Sequence, residues 1–521
     1  MRRNKYSGVG MTGTSLPFLR WSVGLVAVIA ICLALVHLRQ VDQGIRTMAM
    51  TVDGTPVTVF RPETNDPAPV VLIAHGFAGS QQLMQPFAVT LARSGYIAVT
   101  FDFEGHGRNP RPLTGSIARE DGATKALVDE TARVADSVRP LGDGRLALLG
   151  HSMATDIIVR LAKSRPDIAA TVAVSMFSPA VTATAPRNLL VIVGAWEGAL
   201  KSEALRVAAL ASAPEAARPS ITYGAIATGS ARRVAFIPHA DHVSVLYNQA
   251  SLSEALAWLD LVFGRPAVAA PDLDHRGPWI LLLLFGVVML GYPLSALLPV
   301  AARPPAGAGL GWRGIALPLI LPAVLTPVLL RVLPTHFLPV LVADYLAAHF
   351  AAYGIVTAGC IACVRRRQRD RGGFVSIGRL ATGAAAMTIF GLIAIAWPID
   401  VYVTSFLPLG HRFILFLAML AGTLCFFLSD EWLTRGEGAA RGAFLVSKLL
   451  FLLSLGLAVA LDFERLFFLL IIVPVIVLFL LVYGLFSAFA YRRSGHPFVA
   501  GIANAFAFAW AIAATFPLIA P

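Results

Sequence analysis

Residues 146–164 read Leu146-Ala-Leu-Leu-Gly-His-Ser-Met-Ala-Thr-Asp-Ile-Ile-Val-Arg-Leu-Ala-Lys-Ser164. An apolar run of strand length, Leu146–Leu149, meets Gly150-His151-Ser152-Met153-Ala154 and passes directly into Thr155–Ser164, whose apolar residues recur at helical spacing. A serine between small residues at a strand-to-helix junction sits in a tight, strained turn. A large side chain two positions to either side would strike neighbouring backbone, and the turn lifts the hydroxyl clear of the strand end.

Outward from this junction the chain alternates short apolar runs with helix-length amphipathic stretches. Val70–Ala74, Ile97–Phe101, Leu146–Leu149, Thr171–Val174, Leu189–Val193 and Val234–Ile237 read as strands, and Gln82–Arg93 and Lys125–Val138 as intervening helices. That βα alternation predicts an α/β fold, a doubly wound and mostly parallel sheet. Ahead of it, Thr47–Thr51 and Pro56–Phe60 flank Asp53-Gly54, a dipeptide that favours a hairpin turn. Ligands of such sheets bind beyond the carboxyl ends of the strands, so the residues just after each run are the candidates for chemistry.

Four of those positions carry useful groups, and together they resemble the α/β-hydrolase family. Gly150-His151-Ser152-Met153-Ala154 resembles its nucleophile elbow, Gly-x-Ser-x-Gly, with alanine in place of the second glycine. His75-Gly76-Phe77-Ala78-Gly79-Ser80 resembles its His-Gly loop, which implies backbone oxyanion donors at Phe77 and Met153. Asp102-Phe-Glu-Gly-His-Gly-Arg108 matches the family's Asp-x-x-Gly-x-Gly loop, except that Arg108-Asn109 stands where a serine is common; it reads as a structural loop beside the site. Ile237-Pro-His-Ala-Asp-His-Val-Ser244 offers His239 and His242 as the base, and the family's small-x-His arrangement selects His242. Glu197, three residues after Gly194, takes the place where the family usually has aspartate, with Asp241 and Asp102 as the other acids in view.

The order Ser152, Glu197, His242 is the family's order of nucleophile, acid and base. The resemblance spans residues 45–265 and implies a serine hydrolase that needs no metal or organic cofactor. Its expected partner is an acyl-containing substrate, a lipid among the candidates: a carboxylic ester, with amides, thioesters and acyl transfer as chemical variants. Only Ser175–Arg187 separates the sixth apolar run from the next, so no large cap is expected, as in compact dienelactone-hydrolase and small-esterase members.

Composition adds a second domain. The 521 residues are 57% hydrophobic and 14% charged with a mean hydropathy of +0.71, whereas a soluble domain is about a quarter charged. The excess lies in Trp21–Leu38 and in eight blocks: Trp279–Val300, Gly314–Val332, Phe337–Val364, Leu380–Val403, Phe413–Asp430, Ala443–Leu461, Leu466–Tyr491 and Phe498–Leu518. Each is long enough to cross roughly 30 Å of hydrocarbon. The expected organisation is a cytoplasmic tail (1–20), an uncleaved signal anchor (21–38), the hydrolase domain (45–265) and an all-α, eight-helix membrane domain (278–521).

The net charge of +12 suggests membrane topology rather than a nucleic-acid partner, since the arginines cluster in loops between apolar blocks. Arg2, Arg3 and Lys5, Arg303 and Arg313, Arg365-Arg-Arg-Gln-Arg-Asp-Arg371, Arg435 and Arg441, and Arg492-Arg493 all fall on the cytoplasmic side of nine alternating crossings. The hydrolase domain is then extracytoplasmic, or periplasmic where there is an outer membrane. His336, Asp344, His349, Asp400, His411 and Arg412 fall toward the same side, as a headgroup vestibule or as interhelical ties. Lys448 is expected to snorkel to the opposite interface, and Cys360 and Cys363 to serve packing. The competing function is a transporter, channel or scaffold whose hydrolase-like domain only binds, for which Asp344 and Asp400 would be the residues to watch.

Overall fold

The computed structural model describes residues 15–64, 66–116, 120–213, 215–266, 269–365 and 373–520. Arg2, Arg3, Lys5 and residues 366–371 of the basic loop therefore lie outside the described residues. A first helix, α1 (Ser15–Gln40), leads into a nine-stranded sheet. Its strands are β1 (Ile45–Val52), β2 (Thr55–Pro62), β3 (Val70–Ala74), β4 (Ile97–Phe101), β5 (Leu146–His151), β6 (Ile168–Val174), β7 (Leu189–Gly194), β8 (Thr222–Tyr223) and β9 (Arg232–Ile237). Their spatial order is β1-β2-β4-β3-β5-β6-β7-β9-β8. Neighbours from β4 to β9 are parallel, while β1, β2 and β8 run antiparallel to their partners. This is the α/β arrangement expected from the sequence, with a mostly parallel sheet.

Alternation along the central strands explains why both faces are covered. Val71 and Ile73 point to the side packed by α2 (Gln85–Arg93) and α6 (Gln249–Phe263). Val70, Leu72 and Ala74 point to α3 (Lys125–Val138) and α4 (Met153–Ser164). The helix α5 (Gly198–Ser212) covers β7 on the α4 side. Between β6 and β7 no helix intervenes.

Strand bounds differ from the sequence reading where polar or small residues continue a strand. β9 begins at Arg232 and not at Val234, because the guanidinium of Arg232 is buried and donates to the carbonyls of Ala231, Thr182 and Ala183. β6 begins three residues early, at Ile168.

The second half is helical. It comprises α7 (Arg276–Leu294), α8 (Trp312–Val332), α9 (Ala343–Arg365), α10 (Ile377–Gly391), the short α11 (Trp397–Tyr402), α12 (His411–Thr434), α13 (Ala443–Leu461), the one-turn α14 (Phe463–Leu466), α15 (Phe468–Ser494) and α16 (Phe498–Thr515). Among the described residues nine helical segments, α1 included, are long and apolar enough to cross a membrane. Small residues let α9 and α12 cross closely: a Cβ on Gly354 would lie 2.2 Å from the Cys425 backbone, and one on Gly422 2.4 Å from that of Ala347.

Three expectations for this half need correction. The block expected over Phe337–Val364 starts its helix only at Ala343, because Asp344 draws the N–H groups of Phe337 and Tyr345 to its carboxylate and holds residues 337–342 as a loop. The Leu380–Val403 block is not one regular helix; it widens at Leu392–Ala396, just before Trp397-Pro398. Lys448 does not snorkel: it is buried, ion-paired with Asp430, and its ammonium lies 4.6 Å from the Phe444 ring and 5.4 Å from that of Phe426. Asp430 also accepts from Ser447.

The two halves meet at the carboxyl ends of β3 and β4. Arg108 pairs with Asp400 at 2.8 Å, and Ser80 Oγ lies 2.9 Å from Thr404 Oγ1 and accepts from Ser405 N at 2.8 Å. Arg412 is buried and donates to the carbonyls of Ala513, Phe516 and Gly105. Leu113 and Gly105 exchange backbone hydrogen bonds with Leu518 at 2.8 Å. The ionisable groups near this end thus act mainly as ties; His349 bonds Ser454 at 3.1 Å, and Asp400 also accepts from Phe406 N. The loops bearing Arg303, Arg435 and Arg493 gather at the opposite helix ends, where Ala301, Gly309 and Ala306 bond to Ser494, Arg435 and Gly495.

Candidate active site

Ser152 stands between β5 and α4 with φ 54° and ψ −119°, a conformation that costs a side-chain-bearing residue of order 1–3 kcal/mol. Its surroundings over-determine it. The Ser152 N–H donates to Val174 O at 2.9 Å, and a Cβ on Gly150 would lie 2.9 Å from Ile158 Cδ1. Ala154 is fully buried. The loop after β3 passes against the serine: a Cβ on Gly76 would be 3.1 Å from Ser152 Cβ.

His242, in the loop after β9, reaches across two strands to this serine. Its Nδ1–H donates to Glu197 Oε1 at 2.6 Å, so Nε2 is the lone-pair nitrogen facing Ser152 Oγ at 2.8 Å. Glu197 follows β7 and heads α5, with its carboxylate 6% exposed. Its second oxygen accepts from Gly194 N at 2.7 Å and from Ser175 Oγ at 2.8 Å. Both oxygens are therefore occupied, which fixes the carboxylate under the imidazole.

The other acids and the other histidine lie elsewhere. Asp102 accepts from Gln81 N of the segment after β3 and from Arg108 N of its own loop, at 2.8 and 3.0 Å. Asp241 closes a turn on Val243 N and Ser244 N. His239 is exposed with φ 56°. Phe77 follows Gly76, and Met153 is the first residue of α4, where a helix leaves its N–H groups without an acceptor one turn back.

Two residues that sequence reasoning passed over belong to the array. Ser175 directly follows β6 with φ 54° and buttresses Glu197; its signal was its place just after a strand's carboxyl end. His151 donates from Nε2 to the His242 carbonyl at 2.9 Å, with the two rings 4.8 Å apart. Burial, and then the nearness of His242, pushes the His151 pKa down to about 3, so it stays neutral beside a neighbour that must accept a proton. His75 is also held neutral by burial; its Nδ1–H donates to Gly76 O at 2.8 Å and its Nε2 accepts from Phe103 N at 3.2 Å, which stiffens the loop before Phe77. Among the described residues no group of three His, Cys, Asp or Glu side chains is placed to hold a metal.

Residues 65–218 match the family described as serine aminopeptidase, S33, a stretch that includes Ser152 and Glu197 and stops short of His242. Cutinase 1 of Thermobifida cellulosilytica is 28% identical over 116 residues, covering 22% of this chain and 42% of its own length. The 2-(acetamidomethylene)succinate hydrolase of Mesorhizobium japonicum is 27% identical over 111 residues, covering 21% of this chain and 36% of its own. The chain thus spans less than half the length of these curated relatives. The solved structure of a predicted CIB-like hydrolase from Thermoplasma acidophilum superposes with a TM-score of 0.33 at 16% identity, over 41% of this chain and 97% of its own.

Proposed function

We propose that this chain is a membrane-bound serine hydrolase that cleaves carboxylic esters through Ser152, His242 and Glu197. The observation that carries the reading is the unbroken relay from Ser152 Oγ through the imidazole to a doubly anchored carboxylate. In this mechanism His242 Nε2 takes the hydroxyl proton as Oγ adds to the acyl carbon. Glu197 holds the tautomer and offsets the imidazolium charge. The oxyanion forms at the positive end of α4, toward the Phe77 and Met153 N–H groups, an arrangement worth several kcal/mol of barrier. His242 then protonates the leaving oxygen, and water repeats the sequence in reverse to release the acid.

The choice of esters is supported by the cutinase relatives. The choice of side is supported by the arginine-bearing loops, which lie at the helix ends away from the hydrolase domain, and basic loops stay in the cytoplasm. The hydrolase domain is accordingly extracytoplasmic.

The test is labelling of the purified, detergent-solubilised chain by a fluorophosphonate. Wild type labels, while Ser152→Ala and His242→Ala do not and lose about 10⁶-fold in ester turnover. A folded wild type that fails to label would return the chain to the binding or transport reading.

A further inference from the structure

The proposed site adjoins the helical half through Phe77. Phe77, next to the glycine that lies against Ser152, meets His106 edge-on in its own domain at 6.2 Å and stacks its ring face on Phe468 of α15 at 4.5 Å between centroids. Phe468 touches Phe467 at 4.7 Å, and Phe467 touches Phe463 of α14 at 6.2 Å. Phe463 is 58% exposed at the bundle's hydrolase-side end, where lipid would surround it. A strip of four aromatic rings therefore runs from the outer flank of the bundle to the loop beside the nucleophile.

The opposite rim is apolar as well. Phe177 is 65% exposed, Trp196 68% and Val243 51%. Phe177 lies two residues after Ser175, Trp196 immediately before Glu197 and Val243 immediately after His242. A soluble esterase gains nothing by presenting three bare apolar side chains to water around its site; at a membrane surface they lower the free energy of a lipid chain drawn out of the leaflet.

We infer that the substrate is a glycerophospholipid acyl ester, which reaches Ser152 directly from the adjoining leaflet along the Phe463–Phe467–Phe468–Phe77 strip, with its hydrocarbon chain held by Phe177, Trp196 and Val243. This rests on the hydrolase reading above. Ser152 Oγ bonds to the acyl carbon, the bond from that carbon to the glycerol oxygen breaks, and His242 delivers the serine's proton to the departing lysolipid. Water then frees the fatty acid and restores the Ser152 hydroxyl.

The full chain is reconstituted in vesicles of dioleoyl phosphatidylethanolamine and dioleoyl phosphatidylglycerol, and oleate release is measured by mass spectrometry. Turnover of p-nitrophenyl butyrate, a short ester that needs no strip, is measured alongside. Wild type releases oleate, and Phe463→Ser and Phe177→Ser each lower the ratio of oleate release to butyrate turnover about ten-fold, the order of one lost aromatic contact. Fluorophosphonate labelling reports that each variant is folded. Butyrate turnover without oleate release in wild type, or ratios unchanged in labelled variants, overturns the lipid inference and leaves the hydrolase reading standing. Wild type inert to both esters and to the label overturns both.

Discussion

Each half of this molecule buries a carboxylate beside a basic side chain, and the two pairs differ in what they can reach. Glu197 is 6% exposed and its partner His242 35%; Asp430 is 2% exposed and its partner Lys448 8%. Both carboxylates have their oxygens filled, Glu197 by His242, Gly194 and Ser175, Asp430 by Lys448 and Ser447. Burial with full hydrogen bonding is therefore common to both. Only the Glu197–His242 pair leaves a nitrogen facing a serine in an accessible turn. A satisfied buried ion pair is a structural feature until one partner touches something that can react.

The comparison sharpens most at Glu197. Glu197→Gln keeps the shape and loses the charge, so ester turnover should fall about 10⁴-fold while thermal stability stays near wild type. Equal losses of both would make Glu197 structural, like Asp430. The converse is Lys448→Met, which strands Asp430 in the bundle and should lower stability by about 3–5 kcal/mol without changing turnover per folded molecule. Adding Asp430→Asn should recover most of that loss; a double variant as unstable as the single one would refute the pairing. Unfolding in detergent followed by circular dichroism reads both.

Acid tests the histidines buried in the α/β half. His106 and His151 are buried with pKa values lowered to about 3, mainly by desolvation, and burial lowers His75 too. Below pH 6.5 the unfolded chain takes up protons that the folded chain refuses. Stability is therefore complete above that pH and is lost progressively as pH falls toward 3, by roughly 1 kcal/mol per pH unit for each histidine. His106→Asn should flatten the dependence of melting temperature on pH over this range. The smallest expected effect is at Ser175→Ala, which removes one of three bonds to the Glu197 carboxylate and should slow turnover about five-fold, near the worth of one hydrogen bond; an unchanged rate would remove Ser175 from the array.

The local pattern was legible where chemistry and periodicity agree. β3 and β4 were readable residue for residue, β3 from an unbroken apolar run and β4 from one interrupted only by the β-favouring Thr100. β9 was not readable to its start, since nothing local announces that Arg232 is buried with its terminal guanidinium nitrogens on the carbonyls of Ala231 and Thr182. Ser152, Glu197 and His242 were found because each follows a strand end in a recognisable short motif. Ser175 sits at an equally good position but in no motif, and His151 fills the variable position of the Ser152 motif, so only their partners reveal them.

What the sequence by itself determined is the set of elements: six parallel-sheet strands and nine apolar spans, with the hydrolase motifs in order. These follow from patterns of two and 3.6 residues and from turn chemistry, which act over a few residues. What only the tertiary structure decided is how distant elements face one another: Lys448 on Asp430, Arg412 on Gly105, and Phe77 on Phe468. Each partner lies on an element whose approach is set by the crossing of helices and the docking of the sheet's carboxyl end. Burial of a charge is tolerated only when such a partner arrives, so sequence marks an ionisable residue in an apolar block as costly and the folded chain alone says what satisfies it.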